Sequence, residues 1–272
     1  MGILGFGLVD LLLLQSNDAL AHTDPDPPDD LDPHAAWKRD YEEAAGPDLR
    51  GEVPTYPAYL KVPPKIHGRA AWKAKPPRRP AKILGRAPDH IVVHHTDSPN
   101  TSDRSLAHAY DLSRSIQRFH MQGRGWDDAG QQLTISRGGH IMEGRNRSLA
   151  AILAGQHVVG AQALHHNDHT IGIENEGNYT KSKVPPPLWD ALVDTCVWLC
   201  AVYRLDPTKA IVGHRDLVDT DCPGNLLYAK LPTLRRTVST RLTTPRKPAQ
   251  KPKPKPKSKP KPPSTTNPKP RS

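Results

Sequence analysis

The chain has 272 residues and a formal net charge of +10, yet 11 of its 38 Lys and Arg, and none of its 28 acids, fall in residues 241–272. The first 240 residues therefore hold 27 basic against 28 acidic groups, a net of about −1, which weighs against a nucleic-acid-binding domain, whose basic face should lie on the fold itself. This length suits one well-filled core with flexible flanks, or at most two small domains.

Residues 1–21 open with an apolar stretch, Ile3 to Val9 and Leu11 to Leu14, followed by Ala19-Leu20-Ala21. The stretch is too short to span a bilayer, and the A-x-A pattern predicts a secretory signal peptide. Asp10 interrupts the run and no Lys or Arg precedes it, so a helical N-terminus on a non-exported protein stays open as the alternative. Residues 22–60 are rich in Asp, Glu and Pro without sustained apolar periodicity, which predicts a disordered acidic spacer. The folded domain is expected over 61–240, with compact structure starting near Lys65-Ile66-His67.

A buried strand is predicted at Ile91-Val92-Val93, running into His94-His95-Thr96. Asn100 to Asp103 offer helix N-caps, and Leu106, Ala109, Tyr110, Ser113, Ile116, Gln117 and His120 recur at helical spacing until Gly123 and Gly125. Gln132 to Ser136 and His140 to Glu143 read as strands joined by a turn at Arg137-Gly138-Gly139, and a third strand is expected over Thr170 to Glu176. A long helix from Leu188 to Tyr203 carries an apolar stripe of Leu188, Leu192, Cys196, Leu199 and Tyr203, and a short strand at Ala210 to Val212 delivers His214. Strands interleaved with helices predict an α/β fold, a mixed central sheet flanked by helices with the site at one edge of the sheet.

Of the three cysteines, Cys196 and Cys200 sit one turn apart on one helix face, where Cα geometry is poor for a disulfide, and read as small core residues. Cys222 is different. It follows His214 by eight positions in a polar loop closed by Pro223-Gly224. Imidazole and thiolate together form a Zn²⁺ ligand set; two ligands from the loop and one from the His94-His95 strand would leave the fourth tetrahedral position open, as in catalytic zinc sites. His165, His166 and His169 also cluster, but a His-rich loop is more often solvated than metal-binding, and these three stand outside the predicted site. The tail of residues 241–272 alternates Lys and Pro, cannot bury apolar surface, and is expected to be disordered and extended.

Over about residues 64–234 the chain resembles the peptidoglycan recognition protein and zinc N-acetylmuramoyl-L-alanine amidase (amidase type 2) family. Seven segments carry the resemblance in the family's order: Arg69-Ala70-Ala71-Trp72, Val93-His94-His95-Thr96, Ile116 to Met121, Arg124 to Gly130, Glu143-Gly144-Arg145, Ile171 to Gly177, and the loop from His214 to Cys222-Pro223-Gly224. The resemblance implies one Zn²⁺ held by His94, His214 and Cys222, and hydrolysis of the amide between the lactyl group of N-acetylmuramic acid and L-alanine in peptidoglycan. On the residues alone, Glu174 reads as a surface acid sharing a strand face with Gly172 and Glu176. Its place in Gly-Ile-Glu-Asn-Glu-Gly resembles the strand of muropeptide-recycling amidases whose first Glu is catalytic, which implies a general base. Thr220, two positions before Cys222, is implied to assist the oxyanion, and His120, Trp126 and Arg145 to line the glycopeptide groove, although Trp126 reads equally well as core.

Three departures from the family pattern qualify that reading. Gln131 stands where many relatives carry a Tyr, Gln162 where a Gly-Ala-His segment would place His, and Thr220 where some members have Lys. Gln131 and Gln162 are expected to hydrogen-bond substrate but cannot titrate. The competing function is a recognition protein that binds peptidoglycan without cutting it; retention of Cys222 favours the enzyme. Expected partners are the peptidoglycan glycopeptide and, through the Lys/Pro tail, anionic cell-wall polymers, with no nucleic acid, no transmembrane segment and a monomeric state. Secretion to the cell wall is the expected localisation, with cytoplasmic accumulation before lysis as the alternative for a phage endolysin.

Overall fold

The computed structural model describes residues 53–244. The predicted signal peptide, most of the acidic spacer and nearly all of the Lys/Pro tail lie outside the described residues.

Eight strands and six α-helices follow one another: β1 (Ile66–His67), β2 (Ile83–Leu84), β3 (His90–His95), α1 (Leu106–Arg118), β4 (Leu133–Ile135), β5 (Ile141–Glu143), α2 (Ser148–Leu153), β6 (His157–Val158), β7 (Thr170–Asn175), α3 (Pro186–Tyr203), α4 (Pro207–Ala210), β8 (Ile211–Gly213), α5 (Asn225–Tyr228) and α6 (Leu231–Thr243). Six strands form one mixed sheet in the order β1-β5-β4-β7-β3-β8, and β2 pairs with β6 in a separate antiparallel ribbon. Within the large sheet only β4 and β5 run antiparallel, joined by the turn that Gly138 and Gly139 predict. The α/β architecture with a mixed central sheet is the expected one.

Period-2 alternation sorts the two long central strands into opposite faces. Ile91 and Val93 of β3 join Ile171 and Ile173 of β7 and Leu133 and Ile135 of β4 in the main core, packed against Leu188, Leu192, Cys196 and Leu199 of α3. The other face carries His90, Val92 and His94 on β3, in register with Thr170, Gly172 and Glu174 on β7. That second face holds the chemistry.

Helix α3 can begin with Pro186 because a first-turn residue needs no intrahelical N–H partner. It is buried nearly all round, and Cys196 and Cys200 are both free core thiols. Helix α1 is capped by Ser105, whose Oγ accepts the N–H of His108 at 3.1 Å, rather than by the earlier residues 100–103. Those residues form turns that lead into the cap: the N–H of Ser105 reaches Asp103 Oδ1 at 2.8 Å.

The fold already includes residues before Lys65. Residues 58–61 form a 3₁₀ turn against α3, the Tyr56 hydroxyl donates to the Leu205 carbonyl at 2.9 Å, and Trp198 Nε1 donates to the Lys61 carbonyl at 3.1 Å. One tyrosine and one leucine suffice for docking, and a single 3₁₀ turn is too short to show a period. Helix α6 also goes beyond the sequence reading; its Leu231, Leu234, Val238 and Leu242 are buried against the core. Among the described residues no helix is long and apolar enough to cross a membrane.

Candidate metal centre

His94 is the penultimate residue of β3, and His214 opens a 3₁₀ turn directly after the edge strand β8, which pairs with β3 in parallel. Parallel pairing brings both imidazoles to the same end of the sheet, with ring centroids 4.4 Å apart. Cys222 returns from the loop that follows. The backbone N–H of Arg215 donates to the Cys222 carbonyl at 3.0 Å, and the Gly224 N–H closes a turn on the Asp221 carbonyl at 2.7 Å. Gly224, at φ +84°, sits so close to the Tyr179–Thr180 backbone that a Cβ would lie 2.5 Å from the Tyr179 carbonyl carbon, so glycine is required there. The backbone N–H of His95 points at Cys222 Sγ, 3.4 Å away.

These elements place Cys222 Sγ 3.7 Å from His94 Nδ1, and the three ligand atoms of His94, His214 and Cys222 all lie within 4.8 Å of one another. Burial, with no carboxylate paired to any of the three, raises the Cys222 thiol above its ordinary range, holds His94 well below its own, and brings His214 down to about 4. Two neutral imidazoles and a thiol without a counter-charge form a donor set suited to Zn²⁺, for which N, N and S ligands around an open fourth position are the catalytic pattern. The residues present fit the ion.

The His94 ring is oriented from behind. Its Nε2 donates to Gln162 Oε1, and the Gln162 amide nitrogen donates in turn to Thr170 Oγ1 at 2.8 Å. With the proton on Nε2, the Nδ1 lone pair is the one aimed at Cys222 and His214. Gln162 reaches His94 across Gly172, where any Cβ would sit 2.8 Å from the Gln162 side chain. Thus Gln162, expected to contact substrate, has both ends of its amide engaged in holding a ligand. His95 faces the opposite side of the strand, where its Nδ1 accepts the Tyr179 N–H at 3.3 Å.

Glu174 stands beside His94 in the β3–β7 register, with Thr134 of β4 on its other side. It is half-buried, and desolvation alone raises its pKa to about 8. Glu176, two residues on, is fully occupied: it accepts from the Arg137 backbone N–H at 2.7 Å and meets His108 Nε2 at 2.6 Å. One carboxylate thus stands in register beside His94 without a partner of opposite charge, and the other holds the fold.

The other predicted site residues are placed less uniformly. The Thr220 hydroxyl oxygen accepts the Cys222 N–H at 3.2 Å, leaving its own proton to donate. His120, whose Nδ1 accepts the Gly130 N–H at 3.1 Å, packs its ring 4.7 Å from that of Trp126, which is half-buried rather than core. Arg145 donates to the Ala129 carbonyl at 3.0 Å while its Nε stays buried without a partner. Gln131 is buried, its nitrogen donating to Thr134 Oγ1 at 2.8 Å and its Oε1 unmatched. Sequence reasoning missed Thr170 and Thr134, which hold Gln162 and Gln131; a lone threonine on a strand carries no signal of such a role. It also missed Asp128, a fully buried carboxylate that pairs with Arg69 at 3.0 Å and accepts from Gln117 and Asn146.

Residues 84–225 match the family described as N-acetylmuramoyl-L-alanine amidase. The N-acetylmuramoyl-L-alanine amidase of Sus scrofa is 37% identical over 175 residues, covering 64% of this chain but only 28% of that protein, so the chain spans under a third of its curated relative's length. A mutant of Drosophila peptidoglycan-recognition protein LB, solved in complex with tracheal cytotoxin, superposes with a TM-score of 0.55 at 26% identity, covering 64% of this chain and 96% of that one. The amidase LysC of Clostridium intestinale superposes with a TM-score of 0.51 at 25% identity, covering 65% and 98%. On its sequence match and its fold, the chain belongs to the N-acetylmuramoyl-L-alanine amidase family.

Proposed function

We propose that the protein is a zinc-dependent hydrolase that cleaves the amide between the lactyl group of N-acetylmuramic acid and L-alanine in peptidoglycan. The observation that carries this reading is the convergence of His94, His214 and Cys222 within 4.8 Å, with Glu174 in register beside His94. His94, His214 and Cys222 would hold Zn²⁺, which would supply Lewis acidity at the scissile carbonyl and lower the pKa of a water there towards 7.

Glu174 takes a proton from the attacking water and returns it to the leaving nitrogen, so that lactyl carboxylate and free L-alanine amine are released. A carboxyl whose pKa sits near 8 from burial alone becomes the ionised base once positive charge lies beside it. Gln162 keeps His94 in the tautomer that presents Nδ1 to the ion, and the Thr220 hydroxyl donates to the oxyanion that develops on the carbonyl. His120, Trp126 and Arg145 line the approach for the glycopeptide. Export directed by residues 1–21 and docking of the Lys/Pro tail on anionic wall polymers would place the enzyme at its substrate.

The test is incubation of purified protein with peptidoglycan, with and without a chelator, and mass spectrometry for peptides bearing a newly freed N-terminal L-alanine. Such peptides are expected to appear, to vanish on chelation and to return with Zn²⁺. Zinc-loaded protein that sediments with the wall but releases none would show a binding module instead.

A further inference from the structure

The same face of β3 that ends in His94 begins with His90, four residues and about 13 Å earlier along the strand. Around this start lies a second group of ligand-bearing side chains: ligand atoms of Asp89, His90 and His169 also lie within 4.8 Å of one another. His90 Nδ1 stands 2.6 Å and His169 Nδ1 2.8 Å from the same oxygen, Asp89 Oδ1. The backbone under them is fixed, because Asp89 N–H donates to the His169 carbonyl at 2.9 Å and His90 pairs with Thr170 as the first rung of the β3–β7 ladder.

His169 is held from behind by a second imidazole. Its Nε2 lies 3.1 Å from His166 Nδ1, and the His166 ring also hydrogen-bonds the Leu217 backbone. A neutral His166 that donates to Leu217 accepts from His169 Nε2, while the hydrogen bond to Asp89 raises the His169 pKa by favouring a second proton on Nδ1. In the ion-free site a proton occupies the 2.8 Å gap between His169 Nδ1 and Asp89 Oδ1. A divalent ion bound here displaces that proton and spreads the nitrogen and oxygen to about 3.3 Å, the separation that bonds of about 2.0 Å set around a tetrahedral ion. Two imidazoles and one carboxylate are ligands that first-row divalent ions accept, and the three side chains are half-buried or exposed, so an ion can enter from solvent.

We propose that Asp89, His90 and His169 form a second, thiol-free site for a divalent transition metal of the zinc class, oriented by His166. The site ties the start of β3 to the loop that enters β7. That loop carries Gln162, whose backbone N–H is held by Asn167 Oδ1 at 2.7 Å. A metal here acts as a structural clamp on the segment that orients His94, and it binds independently of Cys222.

The experiment uses tag-free protein with the first centre removed by His214→Ala and Cys222→Ala, stripped with chelator and dialysed against Zn²⁺ or Co²⁺. We expect one ion per chain to remain bound, a Co²⁺ spectrum without thiolate charge transfer, and a rise in thermal midpoint with Zn²⁺. Adding Asp89→Asn, a near-isosteric change that leaves the strand register intact, should weaken binding at least as much as the ~10–100-fold cost of losing an outer-shell partner. His169→Ala should remove the midpoint rise, with far-ultraviolet circular dichroism reporting the fold. A doubly substituted protein that binds no ion, or one whose affinity is unchanged by Asp89→Asn, overturns the proposal. Neither result touches the amidase reading, which is tested by product release.

Discussion

The two faces of the central sheet share the same strands and do opposite work. On one, Ile91, Val93, Ile171 and Ile173 are buried against α3 and satisfied entirely by packing. On the other, one residue away along each strand, His94 and Glu174 sit side by side, desolvated and without opposite charges. Burial stabilises the first set and penalises the second, since an apolar side chain gains by leaving water whereas an ionisable group loses. Stability and chemistry are thereby interleaved at a period of two, and substitutions on the two faces should separate them.

Glu174→Gln gives the sharpest separation. Loss of the general base should lower turnover by roughly 10²–10⁴-fold. Stability of the metal-free protein should move the other way. The folded-state pKa of about 8 lies above that of an unfolded Glu, so at neutral pH the unfolded chain releases a proton that the folded chain keeps. Stability from this group is full below about pH 4.3 and declines as pH rises towards 8. Glutamine carries no such penalty. Metal-free Glu174→Gln should therefore be more stable than the parent by about 1–3 kcal/mol at pH 7, a gain that shrinks towards pH 4.5. Denaturant titrations at the two pH values measure it, and a variant destabilised at pH 7 would contradict the assignment of Glu174 as a desolvated carboxyl.

The converse substitution lies across the sheet. Leu192 of α3 is fully buried in the main core, and Leu192→Ala should cost about 2–5 kcal/mol. Turnover per folded molecule should stay within about twofold of the parent, because Leu192 packs behind the sheet from the cluster. A large fall in turnover at full folding, measured at a temperature well below the midpoint, would show that the two faces are coupled.

How much of this was legible beforehand follows the same division. The core face announces itself as runs of β-branched residues, and β3, β4, β5, β7, α1 and α3 all lie within a few residues of their expected bounds. The three candidate ligands and Glu174 follow from a resemblance across seven segments; spacing alone leaves His94 and His95 as alternatives and Glu174 as a surface acid. Partnerships between distant side chains were not legible. Gln162 and His94 are 68 positions apart, and only the fold shows that Gln162 lies against His94. The elements β1, β2 and β6 escaped because two residues cannot show an alternation, and α2 because six residues span less than two helical turns.

Gly172 tests the seam between the faces. It lies between Ile171 and Ile173, both core residues, yet its own Cα faces the cluster and leaves the space through which Gln162 reaches His94. In Gly172→Ala the new methyl would stand 2.8 Å from Gln162 Cδ and Cγ. Those atoms belong to a side chain that can swing aside, so the strand and its core packing should survive. Once displaced, Gln162 no longer accepts from His94 Nε2, and the ring loses the partner that selects its tautomer. Losing such a partner typically lowers metal affinity about 10–100-fold. Zinc affinity measured by competition with a chromophoric chelator should fall by that amount, while the thermal midpoint of the metal-free protein changes little. Gln162→Ala should produce the same loss, and Gly172→Ala added to it should cost nothing further, because both act through one hydrogen bond. Additive losses would mean that Gly172 supports the cluster by some route other than Gln162.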